Sequence, residues 1–223
     1  MNGDPRFPRD GEGARWFGLY PARVSDLVDP DGKGRIKVRL PSFGAAGESV
    51  FAWATLLTPY ADQDQGLEIL PEVDSQVVLA FEAGDPTRPY IVGACWNGRR
   101  ALPEAAAAAN DLRTLKTRSG SLLQFDDREG AAKVTLSMQS GHRVVLDDGA
   151  QEVTVEHSNG CRININVAGQ VTITANATLE INASAVNVHA PVVNCDGMVQ
   201  CTTLIASVGV VSPSYTPGAG NVW

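Results

Sequence analysis

Ile163-Asn164-Ile165-Asn166-Val167, followed beyond Gly169 by Val171-Thr172-Ile173-Thr174, alternates apolar and polar residues with a period of two. Successive side chains of a β-strand point to opposite faces, so this alternation predicts strands with one apolar face. Ile163, Ile165, Val167, Val171, Ile173, Leu179 and Ile181 form that face, and Asn164, Asn166, Gln170, Thr172, Thr174, Asn176, Thr178 and Asn182 form a solvated, uncharged one. Over residues 163–223, 61 in all, only Glu180 and Asp196 are charged. So narrow a tract holds no second layer of its own against which to bury its apolar side. It must stack as a solenoid or wind against sister chains. A single-chain solenoid repeats more regularly and caps its ends. Winding several copies about a shared axis buries every odd position, at roughly 25 cal/mol per Å², and removes the exposed edges. The alternation slips near Ala185-Val186, where Val186, Val188 and Val192 take even positions before Val193, Cys195, Val199 and Cys201 return to odd ones.

Upstream, the pattern recurs in units. Ser119-Gly120 precedes Leu123, Phe125 and Asp126-Asp127; Ser140-Gly141 precedes Val144, Leu146 and Asp147-Asp148; Ser158-Asn159-Gly160 precedes Ile163 and Ile165. The three glycines stand 21 and 19 residues apart, each with apolar residues at plus three and plus five. Val134/Leu136/Met138, Val153/Val155 and Val171/Ile173 supply the intervening strands, so each unit reads strand, polar turn, strand, glycine turn.

Ahead of the repeats, Asp29-Pro30-Asp31-Gly32-Lys33-Gly34 is a turn signal between residues 22–28 and the alternating Arg35-Ile36-Lys37-Val38-Arg39-Leu40, which Pro41 ends. Residues 49–57, 73–81 and 89–95 read as further strands. Five short strands with little room for a helix predict a small closed barrel of the oligonucleotide/oligosaccharide-binding (OB) type. Leu102-Pro103-Glu104 and the alanines at 105–109 could form a helical turn or two, too short to stand alone, and are read as linker. The expected chain is all-β: a leader at 1–19, an OB-fold barrel at 20–100, a linker and neck at 101–118, an intertwined β-helical stalk at 119–212 and a tip tail at 213–223.

Composition narrows the function. A formal charge of −7 repels phosphate backbones, and 43% hydrophobic residues suffice for a core. No apolar run reaches the length of a membrane-spanning helix, and residues 1–10 lack the basic-then-apolar order of a secretory signal. Cys95, Cys161, Cys195 and Cys201 are irregularly spaced and read as free, buried thiols of a reducing compartment.

Several stretches resemble, in order, the central spike proteins of contractile injection machines: the baseplate assembly protein V type of tailed phages and the related VgrG-like spikes of type VI secretion and extracellular systems. In the barrel these are Gly34-Arg35-Ile36-Lys37-Val38-Arg39-Leu40-Pro41, Trp53-Ala54, Glu68-Ile69-Leu70-Pro71-Glu72-Val73-Asp74 with the strand after it, and Gly84-Asp85-Pro86-Thr87-Arg88-Pro89-Tyr90-Ile91-Val92-Gly93. Lys116-Thr117-Arg118-Ser119-Gly120 is similar to the family's neck, and Ser214-Tyr215-Thr216-Pro217-Gly218 through Trp223 to its spike ending. The resemblance implies a homotrimer whose barrels sit at the baseplate hub beneath the inner tube, and whose strands intertwine into a rigid needle. Sheath contraction would drive that needle through a target envelope, with transient membrane contact. It also implies assembly in the cytoplasm into a phage tail-like particle, extracellular or virion-associated after release. The interval 101–118 is too short for the lysozyme-like insert or hub domain of some relatives, which implies a separate hub protein. A terminal histidine-x-histidine iron site is not matched, since His189 stands alone in the stalk. The resemblance permits a small proline-alanine-alanine-arginine (PAAR)-type tip protein.

No catalytic, cofactor or metal residues are expected. Asp126/Asp127 and Asp147/Asp148 lack the ligand density of a calcium loop and read as turn residues. His142 and His157 flank glycine turns. Ser119-Gly120-Ser121 has no strand-nucleophile-helix setting, and no phosphate-binding loop is present. The candidate interface residues are Trp16, Phe17 and Tyr20 at the barrel end, Ile163, Ile165, Val171, Ile173, Leu179 and Ile181 on the stalk, and Tyr215 and Trp223 in the tail. Trp53 and Trp96 read as core or interface. The rival functions are a nucleic-acid- or carbohydrate-binding barrel with an oligomerising stalk, against which the acidic composition weighs, and a glycan-degrading β-solenoid, for which Glu180 and Asp196 are the only carboxylates after Arg162. An adhesin stalk fits the tract but not the barrel before it.

Overall fold

The computed structural model describes residues 9–10, 13–41, 43 and 48–213, with side chains from residue 15 onward. Two short strands, β1 (Arg9–Asp10) and β2 (Gly13–Ala14), pair with each other. The next elements are β3 (Tyr20–Asp26), β4 (Arg35–Leu40), β5 (Val50–Leu56), the two-residue strands β6 (Ala61–Asp62) and β7 (Gln65–Gly66), β8 (Gln76–Phe81) and β9 (Pro89–Ala94). Five of them close a barrel in the order β3-β4-β5-β9-β8, antiparallel except for the parallel β5/β9 pair, which is the OB arrangement. The sequence places all five strands within three residues of their observed ends.

Alternation explains the closure. Ala22 and Val24, Ile36, Val38 and Leu40, and Val77, Leu79 and Phe81 each recur at every second position, and with Ala54 and Ile91 they form the buried core. Burying each of the large ones stabilises the fold by roughly 2 kcal/mol. One end of the barrel is plugged by aromatic rings. Trp16 stacks on Phe43 at 4.2 Å and meets Phe81 edge-on at 4.8 Å, while Tyr20 reaches Phe81 at 5.3 Å. Trp16 therefore packs over the barrel end, and Phe17 beside it stays 65% exposed.

The β3/β4 loop is organised by one carboxylate. Asp29 accepts bonds from the backbone N–H groups of Asp31, Lys33 and Arg35, and its oxygens receive Nε and Nη2 of Arg35 at 2.8 and 2.9 Å. The Arg35 guanidinium holds the Asp29 carboxyl well below the usual carboxylate range.

Residues 101–111 form bends and turns and no helix. Beyond it come β10 (Leu112–Lys116), β11 (Leu122–Asp126), β12 (Lys133–Ser137), β13 (Arg143–Asp147), β14 (Glu152–Glu156), β15 (Arg162–Ile165) and β16 (Val171–Thr174). These seven make one antiparallel meander in chain order. Its repeated turns use the anchoring glycines: Gly141 and Gly160 have φ of 97° and 91°, where a side chain would be strained, and their N–H groups bond to Met138 O and His157 O. The repeat read from the sequence is therefore a hairpin repeat.

Two expectations are corrected. The sequence predicts strands beyond Thr174, yet among the described residues 175–213 none forms a ladder. A strand needs a neighbour for its N–H and C=O groups, and that tract pairs with no segment among the described residues. The chain divides into compact units at Met1–Asn176 and Ala177–Trp223, and every described residue of the second is exposed. The four cysteines are free, but not buried: Cys95, Cys195 and Cys201 are exposed and Cys161 is half-buried. Their segments have no covering layer among the described residues.

Replacing Trp16 with Ala removes the centre of the aromatic plug and should cost the barrel about 3 kcal/mol, measured by denaturant unfolding. Because the Asp29 pKa is lowered on folding, its contribution is complete above the unfolded value of about 3.9 and is lost as pH falls through the folded one. The thermal midpoint followed by circular dichroism should hold from about pH 7 to about pH 5 and fall below about pH 4. Asp29→Asn should lower the neutral midpoint and flatten the acid limb.

Candidate assembly interface

The register of the meander sorts its side chains into faces. Leu115, Leu123, Leu136, Val144, Val155, Ile163 and Ile173 are successive cross-strand partners, one from each of the seven strands. Two residues along, Phe125, Val134, Leu146, Val153, Ile165 and Val171 form a second unbroken row, begun by Arg113. Positions two apart share a face, so both rows lie on the same side. At about 4.8 Å between strands the apolar face runs about 29 Å across the sheet. Nothing among the described residues covers it: Leu136 and Leu146 are 51% and 50% exposed, Ile163 and Ile165 both 42%, and Ile173 54%.

The opposite face is polar. Thr114, Gln124, Thr135, Val145, Thr154, Asn164 and Thr172 form its central row. Gln124 Nε2 donates to Thr114 Oγ1 and Glu104 Oε1, each at 3.0 Å, and Asn164 Nδ2 donates to Thr154 Oγ1 at 3.0 Å. Charged pairs flank that row. Lys133 meets Asp147 at 3.0 Å and Arg143 meets Glu156 at 2.7 Å, each directly across a strand pair. Arg128 closes on Asp126, which it holds below its ordinary pKa; the Ala150 N–H and then Lys133 do the same for Asp147. The solvated Thr/Asn face expected at Asn164 is thus corrected. Asn164 is buried at 8% exposure while its apolar neighbours stand in solvent, because side-chain bonding and flanking ion pairs close the polar face. The single chain satisfies its polar groups and leaves its apolar ones bare.

Of the interface candidates, Ile163, Ile165, Val171 and Ile173 come together on the bare face. Leu179 and Ile181, 58% and 65% exposed, lie in the second unit outside any strand. Trp16, Phe17 and Tyr20 gather at the barrel end, where Tyr20 Oη donates to Phe17 O at 3.2 Å. Tyr215 and Trp223 lie outside the described residues. Trp53 is on the outer wall of the barrel and Trp96 is 62% exposed, so neither is core. Asp126 and Asp147 end strands and cap the following turns through Arg128 N and Ala150 N. His142 and His157 sit at adjacent turns with rings 4.2 Å apart, each Nδ1 accepting a turn N–H. Among the described residues no group of His, Cys, Asp or Glu could hold a metal ion. Sequence reasoning missed β10, although Leu115 stands five residues before Gly120 as Leu136 and Val155 do before Gly141 and Gly160. It also missed the β6/β7 hairpin, whose alternation is too short to register.

Comparison with known proteins places the barrel. Residues 20–96 match the family model of the type VI secretion system/phage-baseplate injector OB domain. The chain is 24% identical over 144 residues to the type VI secretion system spike protein VgrG3 of Vibrio cholerae, covering 58% of this chain and 14% of that protein. It is 20% identical over 184 residues to the actin cross-linking toxin VgrG1 of the same species, covering 74% of this chain and 17% of the toxin. A third relative is the spike protein VgrG1b of Pseudomonas aeruginosa, 22% identical over 128 residues, with 53% of this chain and 17% of that protein covered. The chain thus spans less than a fifth of the length of these three relatives. The barrel thus belongs to the injector OB-domain family in sequence as in fold, and the chain, in which a repetitive β-sheet follows that barrel directly, is similar to the VgrG/phage-baseplate spike proteins.

Proposed function

We propose that this chain is the structural central spike of a contractile injection machine, acting without catalysis. Three copies wind their repeats about one axis, and the apolar rows of each face the others. The observation that carries this reading is the uninterrupted apolar face of seven strands that one chain leaves uncovered. A monomer would expose far more contiguous apolar surface than a soluble protein ordinarily carries. In the assembly the tract from Ala177 onward gains neighbours for its backbone groups and becomes the β-helical needle. Leu179 and Ile181 then join the interior, and Tyr215 and Trp223 pin the tail.

Piercing requires a shaft that does not unfold under axial load. Chains that share every ladder cannot come apart by breaking their hydrogen bonds singly, so resistance is kinetic, set by the cooperative barrier. The sparse charge of residues 163–223 gives the shaft few anchors in a membrane it crosses. The barrels meet the baseplate hub and the inner tube above, and the tip accepts a PAAR-type protein. The particle assembles in the cytoplasm and acts from outside the target cell. The match of the barrel to the injector OB domain and the barrel-then-sheet order support these assignments.

Light scattering on the purified chain should give about three times 23.6 kDa. Placing charge on the bare face, as in Val155→Asp with Ile163→Asp, should abolish the trimer and yield monomer or aggregate. A wild-type monomer with a cooperative melt would sink the reading.

A further inference from the structure

The barrel carries two surfaces that its own core does not explain. The first is the excursion between β5 and β8, residues 57–74. It is an ordered arm: Leu67 N donates to Tyr60 O at 2.9 Å, Thr58 Oγ1 to Leu67 O at 2.7 Å, and Tyr60 Oη to Gln65 Oε1 at 2.7 Å. Gly66 is required there, because a Cβ would come within 2.8 Å of Tyr60 O. Yet Leu57, Tyr60, Leu67, Ile69, Leu70 and Val73 are all between 43% and 53% exposed. Asp62 and Asp64 stand exposed at its tip, two residues apart. An ordered arm that shows six large apolar side chains to solvent is built to be covered.

The second surface is the outer wall of β4 and β5. Core residues alternate on β4 with Arg35, Lys37 and Arg39, and the register sets Lys37 beside Trp53 and Arg39 beside both Phe51 and Arg23. Arg35 is neutralised by Asp29 and Asp31. Lys37 and Arg39 make no ion pair among the described residues. Opposed like charges such as Arg23 and Arg39 disfavour the strand pair, and in an acidic chain carboxylates to offset them are plentiful. The wall is basic and aromatic; the arm is acidic and apolar. No hydrogen bond or ion pair among the described residues joins Asp62 or Asp64 to Lys37 or Arg39 within one chain.

We infer that the arm of each copy lies across the β4/β5 wall of the next, with Asp62 and Asp64 on Lys37 and Arg39 and the arm's apolar residues on Phe51 and Trp53. Lys37 and Arg39 share one face of β4, and Asp62 and Asp64 present two carboxylates at the β6/β7 turn. β4 is paired on one side by β3 and on the other by β5, so its contribution to the contact is made by the outward side chains of Lys37 and Arg39. A contact between two different surfaces of identical chains closes into a ring when its rotation is one-third of a turn. Single-stranded nucleic acid is the weaker occupant. A net charge of −7 works against collecting a phosphate backbone on so small a basic patch. The inference rests on the trimer proposed above and adds a barrel-level contact to it.

The test replaces Phe51 of the full chain with photoreactive p-benzoylphenylalanine, irradiates the purified protein and maps the product by mass spectrometry, with molar mass measured on the same sample. The expected product joins two copies through a peptide within residues 57–74. Asp62→Lys with Asp64→Lys should cut its yield about tenfold, and adding Lys37→Glu with Arg39→Glu should restore it. A trimeric mass with cross-links elsewhere, or none, overturns the arm contact and leaves the trimer standing. Loss of the cross-link on adding a short oligodeoxythymidylate at low salt assigns the wall to nucleic acid and overturns it as well. A monomeric mass overturns the trimer, and the contact with it.

Discussion

Two apolar rows run across the seven-stranded meander with no layer above them among the described residues, and the chemistry of the meander follows from that uncovered face. A sheet needs something against each apolar side. Here the polar side is closed within the chain by Gln124, Asn164 and the cross-strand ion pairs of Lys133 and Arg143. The apolar side is closed by nothing among the described residues. One chain therefore builds half of a layered structure, its register fixed because a one-residue slip would exchange the apolar and hydrogen-bonded faces.

The barrel is complete where the meander is not. Its core of alternating aliphatics closes on itself, its end is plugged by Trp16, Phe43, Tyr20 and Phe81, and its β3/β4 loop is held by Asp29 and Arg35. Arg118 reaches back from the neck to Glu72 at 2.9 Å, tying the first turn of the meander to the barrel. The barrel thus closes its own core, whereas the meander leaves one face open.

The division of charge follows the same logic. Ion pairs crowd the meander through Glu156, where the polar face is built, and almost vanish afterwards. Where ladders exist within the chain, opposed charges on neighbouring strands hold register. Where they do not, Thr and Asn remain, able to bond across any neighbouring strand without demanding an opposite charge. A net charge of −7 also hides local structure: Lys37 and Arg39 form a basic wall that composition alone argues against.

Period-two alternation and the glycine spacing determined which segments are strands, which residues share a face, and that one face of the repeat is apolar without a partner. The turn signals and five strand segments determined the barrel, because local backbone preference and core burial point to the same register there. What the tertiary structure alone decided depends on neighbours in space. It put Asn164 inside and Ile163 outside, since burial follows what covers a face and not its polarity. It left the cysteines accessible and residues 177–213 without a ladder, since a strand exists only where another lies beside it. It raised the arm at residues 57–74 and set Lys37 and Arg39 beside Phe51 and Trp53, a juxtaposition created by pairing β4 with β5 that linear spacing does not reveal.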